Sequence, residues 1–242
     1  MGVGEDLVLL HGFAGTRRTW DGVLSHLEGE RYRPLALDLP GHGELSGADA
    51  GAIGFAECVE SVLQRSPERF ALCGYSLGGR IALHVALAAP ERLTRLVLVA
   101  AAAGIEDPDE RAARRAADRE LADAIAGETI EQFTERWCAQ PMFAEDPPEV
   151  DALARADYLR NDPVALAAAL RGVGVGEMAS LWSRLPELTT PVTLVAGRRD
   201  AKFEGLAWRM AELLCRPRLW ILAGGHRLPL ECPAGVVAAL GG

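Results

Sequence analysis

Residues 70–80 spell Phe70-Ala71-Leu72-Cys73-Gly74-Tyr75-Ser76-Leu77-Gly78-Gly79-Arg80. A short apolar run leads into the pattern Gly-x-Ser-x-Gly, and an apolar pattern of helical period follows. This order predicts a buried strand, a sharp turn and a helix, with the Ser76 hydroxyl presented at the turn. Glycine is needed at Gly74 and Gly78 because side chains there would collide across the turn. We therefore predict that Ser76 is the catalytic serine and that the Leu77 amide donates to a developing oxyanion.

A serine hydroxyl needs a base, and the base needs an acid that orients it. His226 follows a strand-like run and the turn Gly224-Gly225, whereas Asp200 follows the strand-like run 192–196. The resulting chain order, serine then aspartate then histidine, is found in triads carried by parallel sheets. We predict His226 as the base and Asp200 as its orienting acid.

Other acids and histidines fit these two roles less well. Asp38 is the competing acid because it also follows a strand-like run, but its segment Asp38-Leu39-Pro40-Gly41-His42-Gly43 is more typical of a shaping loop. His26 and His84 both lie in helical patterns. The alternative interpretation of His226 itself is a surface loop histidine.

A second oxyanion donor is expected from the loop after the first strand. The sequence there is His11-Gly12-Phe13-Ala14-Gly15, and the Phe13 amide is the candidate. Three separate segments of the chain thus predict one catalytic centre.

Bulk composition limits the classes of function. The chain has 242 residues, 49% of them hydrophobic and 24% charged, which fits one globular α/β domain with a modest insertion. A net charge of −9 argues against nucleic acid as a partner, because phosphate binding needs clustered lysine and arginine. The five cysteines have no zinc-type spacing, so no metal is predicted.

Targeting and membrane patterns are also missing from the sequence. No basic segment followed by an apolar stretch is visible at the N-terminus, and the longest apolar run, residues 96–105, is far short of the ~20 residues that a membrane span needs. We expect a cytoplasmic protein with no membrane partner, and nothing in the sequence requires more than a monomer.

Strand-like and helix-like segments alternate along most of the chain. Such alternation predicts an α/β fold with a mainly parallel sheet flanked by helices. The predicted strands are Leu7–Leu10, Arg33–Leu37, Phe70–Gly74, Leu93–Ala100, Val192–Ala196 and Leu219–Leu222, and the predicted helices between them are Thr19–Leu27, Phe55–Gln64, Leu77–Ala88, Phe203–Leu214 and Pro233–Leu240.

Residues 107–185 interrupt this alternation. Only helical patterns occur there, with helix starts predicted at Asp162-Pro163 and at Asp146-Pro147-Pro148. We expect this segment to form a helical cap over the carboxyl edge of the sheet, where open α/β sheets bind ligands. The predicted core is then residues 1–106 together with 186–242.

The motifs also resemble one known family when they are taken in order. The motifs are His11-Gly12-Phe13, Asp38 to Gly43, Gly74 to Arg80, Trp137 with Gln140-Pro141-Met142-Phe143, Leu159-Arg160, Asp200-Ala201-Lys202-Phe203, and Gly225-His226 with Glu231 to Val236. Together they resemble the 2-succinyl-6-hydroxy-2,4-cyclohexadiene-1-carboxylate synthases, lyases of the menaquinone pathway within the α/β-hydrolase superfamily. The resemblance covers nearly the whole chain.

The resemblance implies an elimination and not a hydrolysis. Its substrate would be 5-enolpyruvyl-6-hydroxy-2-succinyl-cyclohex-3-ene-1-carboxylate, a small tricarboxylate, with the triad serine acting as a base and pyruvate leaving. Neither an acyl-enzyme nor a cofactor is implied. The substrate-binding residues implied by the resemblance are Tyr75, Arg80, Arg114, Trp137, Arg160 and Lys202. The chain departs from some family members at Cys138, where they have a tyrosine.

Arg80 also stands out on physical grounds. It follows Ser76 by four residues and therefore shares a helix face with it. A cation in the first turns of a helix opposes the helix dipole, and an anionic ligand would offset that cost. The alternative is an internal ion pair. Arg114 lies in a charge-rich run typical of a solvated helix face, and Lys202 could instead pair with Asp200.

Two other functions stay open at the level of sequence. One is a serine esterase or carbon–carbon bond hydrolase with the same triad, and the other is a binding protein that retains the fold without turnover. Haloalkane dehalogenases and epoxide hydrolases need an aspartate where this chain has Ser76, so they are excluded.

Overall fold

A computed structural model describes residues 4–27, 31–47 and 53–241. Six strands form one parallel sheet in the order β2-β1-β3-β4-β5-β6. Their bounds are β1 Glu5–Leu10, β2 Tyr32–Leu37, β3 Phe70–Tyr75, β4 Leu93–Val99, β5 Val192–Gly197 and β6 Arg218–Leu222. The predicted fold class and all six predicted strands are confirmed, with bounds that differ by one or two residues.

Helices cover both faces of the sheet, as a parallel sheet requires. Their bounds are α1 Asp21–His26, α2 Phe55–Arg65, α3 Leu77–Ala88, α4 Pro108–Ala126, α5 Ile130–Cys138, α6 Pro148–Tyr158, α7 Pro163–Val173, α8 Ala201–Leu213, α9 Leu228–Glu231 and α10 Pro233–Gly241. The segment predicted as a helix at Thr19–Leu27 is a 3-10 turn, Arg17–Trp20, followed by α1. Helix α8 begins two residues earlier than predicted because the Asp200 side chain caps it.

The core lies on both faces of the sheet. Side chains alternate along β3, so Phe70 and Leu72 pack on one face while Ala71 and Cys73 pack on the other, and all four are buried. Strands of this kind, buried on both faces, are continuous apolar runs, which is why the sequence predicts them well.

Helices α4 to α7 lie between β4 and β5 in the chain, within residues 107–185, here named the cap segment. Local capping sets their starts: the Asp107 side chain accepts from the Asp109 and Glu110 amides, and the Asp162 side chain accepts from the Ala165 amide. Many of their buried side chains form a third apolar cluster around Phe133, separate from the two clusters on the sheet. The 3-10 helix Trp182–Glu187 instead buries Trp182 against the sheet's core.

In the described part of the chain, no helix is both long enough and apolar enough to cross a bilayer.

Candidate active site

Ser76 lies between β3 and α3 with a backbone φ of 51°, in the left-handed region that non-glycine residues rarely adopt. The turn is held from both sides, because the Ser76 amide donates to the Val99 carbonyl at 2.9 Å and the Gly78 amide donates to the His11 carbonyl at 3.0 Å. A side chain at Gly78 would place its Cβ 2.3 Å from the Leu10 carbonyl oxygen. This strained turn presents the Ser76 hydroxyl above the carboxyl edge of the sheet.

The three predicted triad residues meet at this edge. Ser76 Oγ lies 3.1 Å from His226 Nε2, and His226 Nδ1 donates to Asp200 Oδ2 at 2.6 Å. His226 is only 3% exposed. This geometry lets His226 take the Ser76 proton while the Asp200 carboxylate holds the imidazole in the required tautomer.

Loops at the ends of β5 and β6 hold the acid and the base. Asp200 accepts from the Phe203 amide at 3.4 Å, so the start of α8 restrains it. The turn before His226 is fixed by the Glu231 carboxylate, which accepts from the Gly225 amide at 2.7 Å and also pairs with Arg199. The competing acid Asp38 instead accepts from the amides of Arg17 and Glu44 and pairs with the Arg17 side chain, so it joins two loops and is not part of the triad.

The amides of Phe13 and Leu77 have no hydrogen-bond acceptor among the described residues, as an oxyanion hole requires. Leu77 is the first residue of α3, so its N–H has no partner within the helix. His11 fixes the loop that carries Phe13: its Nδ1 donates to the Gly12 carbonyl and its Nε2 accepts from the Leu39 amide.

A cavity of about 550 Å³ opens beside Ser76. It is lined by both aromatic residues that the resemblance implied: Tyr75, whose pKa is raised by burial, and Trp137, whose ring centroid lies 5.1 Å from that of Phe13. Phe143 and Tyr158 of the cap segment also line it.

Arg80 projects into this cavity and has no carboxylate within ion-pair distance in the part of the chain that the structure describes. Its Nη1 donates to the Val173 carbonyl at 2.9 Å. Burial, and secondly the charge of Arg114, lower the pKa of Arg80 to about 10. Arg80 therefore does not form the alternative, an internal ion pair, with any carboxylate of residues 4–27, 31–47 or 53–241.

Two further predicted cations line the cavity, Arg114 and Lys202. Arg114 Nε donates to Asp118 at 2.7 Å, which leaves its terminal nitrogens without a partner among the described residues. Lys202 Nζ lies 5.8 Å from the centroid of the Phe203 ring and forms no ion pair with Asp200. Both side chains can thus reach an anion in the cavity.

Arg160 is the predicted residue that does not join this group. It is exposed, follows the end of α6 and is absent from the cavity lining. Sequence analysis overlooked Arg209, which lines the cavity and pairs with Glu106. Arg209 follows Lys202 by seven residues on α8, two helical turns along the same face, so helical spacing could have revealed it.

Of the three acidic residues that line the cavity, Glu106 and Asp107 are already engaged, whereas the Glu110 carboxylate has no partner among the described residues. Glu106 is paired with Arg209, and Asp107 accepts two amides at the start of α4. In the described ranges, no group of three or more histidine, cysteine or acidic side chains is arranged to hold a metal ion.

The site combines a strained serine after the third strand, a histidine–aspartate pair after the last two strands and two amides that have no acceptor among the described residues. This arrangement defines a serine-triad enzyme of one fold family. The chain belongs to the alpha/beta hydrolase family, whose model matches residues 7–239.

Its relatives make the assignment narrower. The chain is 35% identical to the 2-succinyl-6-hydroxy-2,4-cyclohexadiene-1-carboxylate synthase of Enterobacter sp. (strain 638), over 97% of this chain and 89% of the relative. The solved structure of MenH from S. aureus matches with a TM-score of 0.89 at 30% identity, covering 98% of this chain and 93% of that one. The resemblance predicted from the motifs is confirmed.

An esterase is similar to the chain at nearly the same identity. The pimeloyl-[acyl-carrier protein] methyl ester esterase of Nitrosomonas europaea is 34% identical, over 98% of this chain and 94% of the relative.

Proposed function

We propose that this chain is a lyase of menaquinone biosynthesis that eliminates pyruvate from 5-enolpyruvyl-6-hydroxy-2-succinyl-cyclohex-3-ene-1-carboxylate. The product would be 2-succinyl-6-hydroxy-2,4-cyclohexadiene-1-carboxylate. Relatives with the synthase name at 33–35% identity over nearly the whole chain support the reaction. The observation that carries the proposal is Arg80, a guanidinium beside Ser76 without a carboxylate partner among the described residues.

Three cations fit a tricarboxylate substrate. Arg80, Arg114 and Lys202 line one cavity, and each has donors that no described carboxylate fully occupies. An apolar ester would gain nothing from these groups, whereas arginine binds carboxylates with strong charge-assisted hydrogen bonds. The local cations also offset the net charge of −9, which would otherwise repel an anionic substrate.

The triad geometry supports a base-initiated elimination. Ser76 Oγ passes its proton to His226 Nε2 as it takes a ring proton from the substrate. The electrons of the broken C–H bond form a new ring double bond and expel the enolpyruvyl oxygen. The leaving enolate receives a proton derived from the imidazolium and tautomerises to pyruvate. Asp200 stabilises the imidazolium, and the Phe13 and Leu77 amides stabilise negative charge on a substrate oxygen.

The cap segment completes this proposal. We assign residues 107–185 as a cap that closes the cavity over the core formed by residues 1–106 and 186–242. We also propose that the chain acts as a monomer in the cytoplasm, because a tricarboxylate does not cross membranes unaided and must be consumed where it is made. Size-exclusion chromatography with light scattering tests the monomer.

A serine esterase with the same triad is the second candidate. The esterase relative at 34% identity favours it, as do the Phe13 and Leu77 amides, which could stabilise the oxyanion of an acyl-transfer intermediate. It predicts rapid turnover of activated esters with a burst of acyl-enzyme, and little dependence on Arg80.

One assay separates the two candidates. The substrate is generated in situ from isochorismate and 2-oxoglutarate with the preceding enzyme, and pyruvate release is followed against a no-enzyme control. We expect Ser76→Ala to lower kcat/KM by at least about a thousandfold, because it removes the hydroxyl that takes the ring proton from the substrate. We expect Arg80→Ala to lower kcat/KM by about a hundredfold, because it removes the guanidinium that binds a substrate carboxylate.

Arg184→Ala is the matched control, because the ion pair of Arg184 with exposed Glu187 lies at the surface and away from the cavity. Its rate should stay within about twofold of wild type. Pyruvate release at the uncatalysed rate, together with rapid p-nitrophenyl ester cleavage, would establish the esterase instead.

A further inference from the structure

Arg227 directly follows the catalytic base and has no place in the mechanism above. Its side chain is only 1% exposed. A buried guanidinium is costly unless it is paired and hydrogen-bonded. The contacts that offset this cost show what the residue does.

The hydrogen-bond partners of its side chain within the described ranges all lie in the cap segment. Nη1 donates to Asp146 Oδ2 at 2.9 Å and to Asp151 Oδ1 at 3.3 Å, and Nε donates to Tyr158 Oη at 3.2 Å. Nη2 lies 3.4 Å from Cys138 Sγ. One side chain from the loop of the catalytic base therefore joins four positions of the cap segment that are 69 to 89 residues distant in the chain.

The same guanidinium supports the wall of the catalytic cavity. Its central carbon lies 3.8 Å from the centroid of the Phe143 ring and 5.5 Å from that of Tyr158. Both rings line the cavity, and the Phe143 ring lies 6.2 Å from the His226 ring. Arg227 thus packs against the rings of Phe143 and Tyr158, which line the cavity that holds the reacting groups.

The pairing with Asp146 is buried on both sides, since that carboxylate is only 3% exposed. Burial raises the pKa of Asp146, and the charge of Arg227 opposes this shift. Buried ion pairs often stabilise a fold no more than apolar residues of similar size would, so stability alone is a weak reason for the network. A planar fork that fixes several partners at once is better suited to setting geometry.

We propose that Arg227 is a positioning residue that locks the cap wall formed by Phe143 and Tyr158 to the loop carrying His226. Its contacts hold the Phe143 and Tyr158 rings in a fixed position relative to the His226 imidazole while the substrate reacts. The inference depends on the triad and the cavity, and only its kinetic measurement rests on the proposed function.

The test compares Arg227→Met and Arg227→Lys with Arg155→Met. Arg155 is the matched control because it also pairs with Asp151. Its other partner, Glu135, lies in the cap segment as well, and the Arg155 side chain is 32% exposed. Removing Arg155 therefore disturbs the same carboxylate without cutting the link between the cap segment and the His226 loop.

We expect Arg227→Met to lower kcat for pyruvate release by about tenfold to a hundredfold, because small misplacements in an active site are costly. Arg227→Lys should recover part of this loss, since it keeps the charge but not the fork. Arg155→Met should stay within about twofold. All rates are measured well below each variant's melting temperature, so that loss of folded protein does not contribute. An Arg227→Met kcat within about twofold of wild type, or a loss equal to that of Arg155→Met, would overturn the inference.

Hydrogen–deuterium exchange supplies a second readout that does not need the substrate. Arg227→Met should speed exchange in residues 223–231 and in residues 138–158 together, whereas Arg155→Met should affect only the second segment. Exchange unchanged in residues 223–231 would also overturn the inference. Failure of the proposed function is distinguishable, because it leaves wild-type pyruvate release at the uncatalysed rate while the exchange comparison still decides the role of Arg227. If Arg227→Met does not fold, Arg227→Lys is judged by the same two measurements.

Discussion

At the scale of single residues, two buried histidines show how protonation is tied to the site. His11 and His42 lie with ring centroids 5.0 Å apart, and His42 also contacts the ring of Phe13. His11 Nε2 accepts from the Leu39 amide, so a proton added to this nitrogen would face an N–H donor. His42 Nε2 is buried without a partner among the described residues. Both imidazoles are therefore held neutral next to the loop that carries Phe13.

The neutral state of His42 predicts a loss of stability in acid. Burial is the main cause that lowers the pKa of His42 from 6.5 to about 3. Between these values the unfolded chain binds a proton that the folded chain does not, so stability falls as pH falls. The expected decrease from His42 is about 1.4 kcal/mol per pH unit.

Urea unfolding at several pH values in that window measures this slope. His42→Gln removes the titrating group and should reduce the slope by about 1.4 kcal/mol per pH unit, which corresponds to one proton. Equal slopes for wild type and His42→Gln would contradict the assignment of a neutral His42.

At the scale of elements, the turn between β3 and α3 is the most constrained connection in the site. Backbone from another segment approaches it closely, since the carbonyl oxygens of Leu10 and His11 lie within 2.6 Å of where a Gly78 Cβ would be. Helix α3 can begin directly after Ser76 only because nothing projects from Gly78. The position of α3, and with it that of the Leu77 amide, depends on a residue without a side chain at position 78.

Gly78→Ala and Gly205→Ala test this dependence as a pair. Gly78→Ala should destabilise the fold by more than about 3 kcal/mol, because backbone atoms cannot move aside as a flexible side chain can. Gly205 lies inside α8, and a Cβ added there would meet no atom within 4 Å. Gly205→Ala should therefore stabilise by about 0.5–1 kcal/mol. Chemical denaturation measures both, and a mild effect at Gly78 would show that the turn can relax.

At the scale of the whole molecule, buried hydrogen bonds join the cap segment to the loops that follow β1 and β2. Asp157 of α6 accepts from the Thr16 amide at 3.0 Å, from Thr16 Oγ1 at 2.5 Å and from Thr19 Oγ1 at 2.7 Å. Asn161 adds two contacts, because its amide group donates to the Ala14 carbonyl and its oxygen accepts from the Gly43 amide. Several of these links end on the loop that carries Phe13, so the position of the cap segment and the chemistry are connected.

Asp157→Asn should destabilise the protein by about 2–3 kcal/mol. The amide offers one acceptor where the carboxylate serves three donors, and its NH₂ group would face a donor in a buried site. Asp123→Asn is the control, because Asp123 forms an exposed pair with Arg171 and should change stability by less than about 0.5 kcal/mol. Equal effects of the two substitutions would show that the buried link contributes no more than a surface ion pair.

Sequence patterns alone were enough to predict the sheet, most of the helices around it and the three triad residues. Buried parallel strands are continuous apolar runs, and the elbow needs glycines around Ser76, so both leave local patterns. Asp200 and His226 follow strands that end at the same edge, and the parallel order of the sheet then brings them to Ser76.

Which charged side chains reach the cavity was settled by the tertiary fold. It left Arg80 without a carboxylate partner in the described residues, placed Arg160 at the surface, added Arg209 to the cavity lining and buried Arg227 under the cap segment. The physical reason is that local patterns set where strands and helices begin and end, whereas the partner of a charge depends on which distant segments meet. For Arg227 those segments are 69 to 89 residues away, beyond any local pattern.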